Sequence, residues 1–265
     1  MTSPLSRPRN PLARAGLFWF VFVALLFLQG TLVKPFFPAA AERLVFGLQG
    51  LLAVAVAGWL FARRSSQTGP ALHPARNFLL GTLAGMAIVA ALFLFVCAAG
   101  GGRLRSTGAP FGLPELLPYL ALVFLAWMEE AAFRGYPFRL LRQRYGLLRT
   151  QAIVAAAFAA YHILMGWHPL QALAGPGVWS VLFGVAAARS RGIALPTGLH
   201  LGVNVLQALL GGFAGYASPW VVETGTDPQG IQLAGLAAQA VILLLSVGAS
   251  IRFRKMAALP ESTPA

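Results

Sequence analysis

The chain alternates long apolar runs with short polar segments, and a membrane-spanning helix of about 20 mainly apolar residues is the element that fits such runs. Eight runs are of this kind, at 15–33, 44–61, 78–99, 115–134, 151–166, 177–193, 195–212 and 231–251. The fifth, sixth and seventh are short, and the sixth closes on Arg189 and Arg191. The pattern predicts an all-α fold: a polytopic membrane helix bundle of about eight transmembrane helices. The first run follows Arg7, Arg9 and Arg14 and precedes Ala39 and Ala41, as a cleaved signal segment would. Its length of about 19 residues exceeds the roughly 7–15 of a signal core, so a retained first helix is expected.

Composition agrees with the pattern. The chain of 265 residues is 58% hydrophobic and 10% charged, against about 25% charged in soluble domains. The net charge of +13 does not point to nucleic acid, because the basic residues sit in short segments between spans and not in a patch interleaved with exposed aromatics. They divide unequally between the two ends of the expected helices. One end receives Arg7, Arg9, Arg14, Arg63, Arg64, Arg76, Arg139, Arg142, Arg144, Arg149, Arg189, Arg191, Arg252, Arg254 and Lys255. The other receives Lys34, Arg43, Arg103 and Arg105. Excess Lys and Arg mark the cytoplasmic side, so both termini are expected in the cytoplasm, in an integral protein of a bacterial inner (plasma) membrane with the lipid bilayer as its solvent.

Smaller signals fill in the organisation. Residues 136–150, YPFRLLRQRYGLLRT, mix Phe138, Leu140, Leu141, Tyr145 and Leu148 with four arginines, which reads as an amphipathic helix at the cytoplasmic interface; an ordinary charged loop is the alternative. Gly81 with Gly85, and Gly198 with Gly202, have the spacing of close helix contacts. Cys97 is the only cysteine, which excludes an intrachain disulfide and a cysteine metal site. The polar tail after Lys255 is expected to be disordered. His73 and His168, each before a proline, read as loop residues, Glu223 and Asp227 as solvated, and Trp127 and Tyr161 as packing aromatics.

Ionisable groups at membrane depth are costly and concentrate where function needs them. Only seven residues are acidic in the whole chain, yet Glu129 and Glu130 stand together in LVFLAWMEEAAFRG, residues 122–135. The fifth span carries His162, and the seventh carries His200 and Asn204. Glu130 and Arg134, four residues apart with the carboxylate N-terminal, can pair one helical turn apart. Glu129, rotated by about 100°, lacks that partner and is left to face the bundle. A carboxylate without a cation in a low-dielectric pocket is a usable general base. A neutral histidine beside it can share the protons of a water, and a second histidine with an Asn amide one turn on can donate to a developing oxyanion. These parts suit hydrolysis of an amide by water. No Ser or Cys nucleophile with a matching base is present.

The motifs EEAAFRG from Glu129, FAAYH from Phe158 to His162 and HLGVN from His200 to Asn204 resemble those of the CPBP family, intramembrane proteases related to type II CAAX prenyl endopeptidases and bacteriocin-processing proteins. The resemblance divides the chain into 1–114, N-terminal helices outside the motifs; 115–212, the catalytic core; and 213–265, the last helix and tail. It implies Glu129 as the base that activates water with the help of His162, His200 and Asn204 as the oxyanion-stabilising pair, and Glu130 with Arg134 as a supporting ion pair. It implies a membrane protein or a lipidated peptide as substrate. Counted from the cytoplasmic ends of their helices, Glu129 is about one turn deep, His200 about 8 Å and His162 about 16 Å at 1.5 Å per residue, so the active site is expected in the cytoplasmic half of the membrane, facing the cytoplasm. The family is often called a metalloprotease family, and Glu129, His162 and His200 are as many ligands as a catalytic zinc takes. No H-E-x-x-H helix is present, and a metal-free mechanism uses the same residues, so no cofactor is required and a divalent metal such as zinc stays a candidate. Two other functions fit an intramembrane Glu and His: a proton-coupled transporter, and a catalytically silent membrane scaffold.

Overall fold

The computed structural model of the chain describes residues 10–38, 41–62, 73–213, 215–223 and 228–257. The tail beyond Ala257, Arg7, Arg9, Arg63, Arg64, Ala39 and Asp227 lie outside them. The helices are α1 (Pro11–Val33), α2 (Glu42–Ala62), α3 (Pro74–Gly100), α4 (Leu113–Glu130), α5 (Tyr136–Leu164), α6 (Pro169–Ala172), α7 (Val178–Ser190), α8 (Ala194–Leu209) and α9 (Pro228–Ala257). Each long helix buries one stripe and leaves the rest for lipid. In α1 the stripe is Ala15, Phe18, Phe22 and Leu26, while Phe20 on the other face is 69% exposed. In α9 it is Ala234, Ala238, Ile242, Ser246 and Ser250, one residue per turn. An apolar outer surface is what a helix bundle in a bilayer presents, because lipid makes no demand for polarity there.

Among the described residues six helical stretches are long and apolar enough to cross a membrane: Pro11–Val33, Glu42–Phe61, Pro74–Gly100, Glu115–Leu164, Pro169–Ser190 and Gln229–Arg254. The protein is thus an all-α membrane bundle, and helix length alone yields six spans where the apolar pattern expects eight. Two physical features account for the difference. The fourth and fifth expected spans run together because Ala131–Gly135 continues the helix as a π-helical turn and Tyr136–Leu164 follows without a loop. That last stretch is nevertheless broken at Gly146, whose φ of 72° and ψ of 179° are not helical and suit glycine alone. The expected seventh span is α8, only 16 residues long. The sixth begins earlier than expected, because residues 169–177 are helical in spite of Pro169 and Pro176: the first stands at the opening of α6, and the second lies in a second π-helical turn, Leu173–Gly177. A wide turn of this type accommodates residues that an α-helix interior rejects.

Packing sorts the helix ends into two sets. Gly47 on α2 faces Phe124 on α4, and Gly50 faces Met128, so α2 and α4 run side by side in the same sense. Gly81 and Gly85 on α3 face Leu195, Leu199 and Val203 on α8, again in the same sense. Gly100 at the end of α3 abuts Ile231 near the start of α9, and Gln151 near the Gly146 break bonds Ser250 near the end of α9 at 2.8 Å. The segment 136–145 places Arg139 and Arg144 outward and Phe138, Leu140 and Leu141 inward. One feature has no counterpart in the all-α expectation: β1 (Arg103–Ser106) and β2 (Trp220–Glu223) form a two-stranded antiparallel ribbon that links the loops after α3 and α8. Four-residue strands carry too little alternation to register as a pattern. Glu223, expected to be solvated, pairs there with Arg105 while both stay more than half exposed.

The α3–α8 contact is the tightest in the bundle. A Cβ on Gly198 or Gly202 would collide with the carbonyl oxygens of Phe78 and Thr82, and one on Gly81 or Gly85 with those of Leu195 and Leu199. Backbone cannot yield as a flexible side chain can. Gly202→Leu is therefore expected to lower the unfolding free energy by about 1–3 kcal/mol or more, while Gly16→Leu, where nothing lies within 4 Å, leaves it near wild type; thermal unfolding in detergent micelles reads both.

Candidate functional site

Glu130 has no exposed surface and Arg134 is 2% exposed. Arg134 Nη1 donates to Glu130 Oε1 at 3.1 Å. Its Nη2 donates to Ser180 on α7 twice, to the carbonyl oxygen at 3.0 Å and to the hydroxyl Oγ at 2.6 Å. The guanidinium carbon lies 4.6 Å from the ring centre of Phe158 and 5.3 Å from that of Phe183. The cation is thus held by α4, α5 and α7 together. Glu130 has a second partner: His200 Nδ1 lies 2.9 Å from the same Oε1. Glu130 therefore connects the arginine to a site histidine on α8, which the reading of Glu130 and Arg134 as a self-contained pair did not include.

Glu129 faces the other way. Its side chain is 12% exposed, and its Oε2 lies 3.7 Å from His200 Nε2 and 4.0 Å from His162 Nε2. Both distances are too long for direct hydrogen bonds and suit a bridging water. Each imidazole is oriented through its other nitrogen. His162 Nδ1 donates to the Phe158 carbonyl oxygen at 2.9 Å; a carbonyl only accepts, so this nitrogen carries the proton and Nε2 of the neutral ring is an acceptor. The His200 ring stacks on Phe183 at 4.6 Å between centres. The His162 ring meets the Phe158 and Trp167 rings edge to face at 4.5 and 5.4 Å.

The helix carrying the glutamates changes form just after them. The π-helical turn Ala131–Gly135 is the kind of local widening that recurs at functional sites. One of its carbonyls, that of Ala132, accepts from the Trp19 indole at 3.2 Å, and Phe133 in the same turn packs on Trp19, Phe22, Phe158 and Tyr161. Helix α1, outside the three motifs, thereby braces the site.

Glu129, His162, His200 and Asn204 all line one cavity of about 920 Å³. The structure brings the four together, with Glu130 and Arg134 directly behind them. Asn204 makes no hydrogen bond among the described residues and is half-buried. Tyr161, expected to be a packing aromatic, also lines the cavity, as do Gln49, Gln207 and Gln239. Sequence reasoning missed Ser180 and Phe183; a serine in the first turn of an apolar helix was the available signal for the former, and nothing distinguishes Phe183 from a lipid-facing phenylalanine. The cavity does not open at the arginine-rich end of the bundle, as a site facing that end would require. Part of its lining comes from the opposite end, from Phe37, Glu42 and Arg43 before and at the start of α2 and from Gly212, Phe213 and Tyr216 after α8, and part from Met165, Trp167 and Pro176 between α5 and α7.

Residues 111–206 match the family model described as Type II CAAX prenyl endopeptidase Rce1-like. The Rce1-like stretch contains all three motifs, with Glu129, Glu130, Arg134, His162, Ser180, His200 and Asn204. It points to a protease, a hydrolase, embedded in the membrane. No curated protein matches the chain.

The candidate zinc ligands were tested against this geometry. Among the described residues no group of three or more His, Cys, Asp or Glu side chains is arranged to hold a metal ion; both imidazoles approach Glu129 alone, at 3.7 and 4.0 Å.

The buried network makes a specific demand on stability. Removing one partner of a buried ion pair leaves the other charge without compensation, at a cost of about 3–5 kcal/mol. Arg134→Met is expected to show a loss of that size in unfolding free energy. Adding Glu130→Gln to the same chain should recover part of it, because the stranded carboxylate is then neutral; a double-mutant cycle measures the recovery.

Proposed function

We propose that the protein is an intramembrane endopeptidase in which Glu129 activates a water for direct attack on a peptide carbonyl. The observation that carries this reading is the convergence of two imidazole Nε2 atoms on one carboxylate oxygen at the floor of a cavity. A water seated between them donates one hydrogen to Glu129 Oε2 and the other to His162 Nε2, the unprotonated nitrogen of the neutral ring whose Nδ1–H donates to the Phe158 carbonyl. Glu129 takes the first proton as the water oxygen bonds to the carbonyl carbon. The oxyanion that forms is met by the Asn204 amide and by His200.

His200 donates through Nε2 only when both ring nitrogens carry protons. Glu129, Glu130 and Arg134 stand around it, and Glu130 accepts from its Nδ1. Glu129 then passes its proton to the departing amine, the C–N bond breaks, and the carboxylate is regenerated. Preorganised donors of this type supply about 10²–10³ in rate each.

The substrate class we propose is a membrane protein or a lipidated peptide in a lipid environment. The prenyl group in the family's description is not carried over. We further propose eight crossings with both termini in the cytoplasm of a bacterial plasma membrane: the Gly146 break separates two crossings in the 115–164 stretch, and α8 makes a short one. Transport fits less well. Beyond Glu130 and Arg134 the bundle is closed by Phe133, Leu141, Val154 and Phe183, each 1% exposed or less, and the buried polar groups farther on, Gln151, Ser246 and Ser250, are not titratable and bond within the bundle.

Glu129→Gln is expected to abolish cleavage of a labelled membrane-protein substrate while leaving thermal unfolding unchanged. His162→Ala and Asn204→Ala should each lower kcat by about 10²–10³. Wild-type turnover in Glu129→Gln sinks the mechanism, and a proton current lost in the same variant without any cleavage by wild type favours transport.

A further inference from the structure

The cavity has a floor and a mouth, and they differ in what surrounds them. At the floor lie Glu129, His162 and His200; the walls rise past Gln49 on α2 and Gln207 on α8 to Arg43 and Tyr216. Gly50 is level with Met128, and Arg43 precedes Gly50 by seven residues, so the floor lies roughly 10 Å below Arg43 at 1.5 Å per residue. At the mouth the Arg43 guanidinium stacks over Tyr216 at 4.4 Å and donates to the Gly215 carbonyl, which fixes the loop after α8 beside the start of α2.

The other side of the floor is sealed. Arg134, Phe133, Phe183, Val154 and Leu141 are buried there, and farther on Gly184 packs against Phe138 and Gln151. Among the described residues, none that lines the cavity comes from segments 136–150 or 184–193, where the arginines of the closed end cluster. Among the described residues Arg14, Arg76, Arg139, Arg142, Arg144, Arg149, Arg189, Arg191, Arg252 and Arg254 lie toward the closed end of the bundle and Arg43, Arg103 and Arg105 toward the open end, with Arg134 buried between. Since the basic end faces the cytoplasm, the open end faces away from it.

We propose that the substrate reaches this site from the extracytoplasmic side, as an unwound apolar segment of a membrane-inserted polypeptide. The apolar walls at Phe46, Leu122 and Val203 take its side chains, and the amides of Gln49 and Gln207 take backbone hydrogen bonds that the segment gives up on leaving its own helix. The proposal rests on the endopeptidase reading for the cut itself, but the direction of access stands on the cavity and the charge asymmetry alone.

The test uses the full-length protein in a Cys97→Ala background with one new cysteine at a time: Gln49→Cys or Gln207→Cys on the wall, and Arg139→Cys at the closed end. A membrane-impermeant maleimide is added to right-side-out and to inside-out vesicles. Both wall cysteines are expected to be labelled from right-side-out vesicles and protected in inside-out ones, with Arg139→Cys showing the reverse. Labelling of wall and closed-end positions from the same face overturns the proposal, as does protection of both wall positions from both faces. Labelled Gln207→Cys protein should also lose cleavage of the membrane-protein substrate. If labelling follows expectation and unmodified wild type cleaves nothing, the access route holds and the endopeptidase reading fails.

Discussion

One buried cation determines how the site is assembled. The Arg134 guanidinium is bonded to Glu130 on its own helix and to Ser180 on α7, lies over rings from α5 and α7, and through Glu130 is joined to His200 on α8. A guanidinium in an apolar interior is tolerated only where its charge and donors are met, so these four helices have little freedom to shift independently. Two buried polar atoms, Glu130 Oε2 and Arg134 Nε, find no hydrogen-bond partner among the described residues. The pair is therefore not optimised for its own strength, and its geometry is better explained by what it holds in place than by what it contributes to stability.

The fixed network also explains how the cavity ends. Because Arg134 draws Phe158 and Phe183 together from two helices, their rings cover the floor from behind, and Phe133 in the π-helical turn fills the remaining space beside Trp19 and Phe22. Water is a reactant in hydrolysis and a hazard to a membrane barrier. A chamber open at one end and closed by aromatic rings at the other admits the reactant without forming a pore. The tight α3–α8 contact serves the same end, since α8 carries His200 and Asn204 and its backbone is pinned against α3 over two turns.

Much of this was legible in the sequence, for reasons that differ by residue. Glu129, Glu130, His162 and His200 stand out because charge is rare and costly at membrane depth, and the four-residue spacing of Glu130 and Arg134 predicted the pair that is observed at 3.1 Å. The glycine pairs on α3 and α8 likewise announced a close contact. What escaped was whatever depends on helix-to-helix placement: the bond from Glu130 to His200, the anchoring by Ser180, and the end at which the cavity opens. Counting residues from helix ends gives the depth of the site but not the end from which its cavity is lined, because distance along one helix says nothing about which side of a residue its neighbours have filled. The π-helical turns escaped as well, since AAFRG and LAGPG carry no signal that separates a wide turn from an ordinary one.

The two histidines show how much a single neighbour decides. Both present Nε2 to Glu129, and from that side they are nearly equivalent, at 3.7 and 4.0 Å. On the far side His162 meets a backbone carbonyl and His200 meets a carboxylate. A carbonyl only accepts and so fixes the His162 tautomer, whereas the carboxylate joins the His200 ring to the buried Glu130–Arg134 pair. The proposed mechanism needs one ring that accepts from water and one that donates to an oxyanion. The same residue type fills both roles because Glu130, held by Arg134, lies behind only one of them. Glu130 thus acts without touching the substrate, by making the two histidines chemically different.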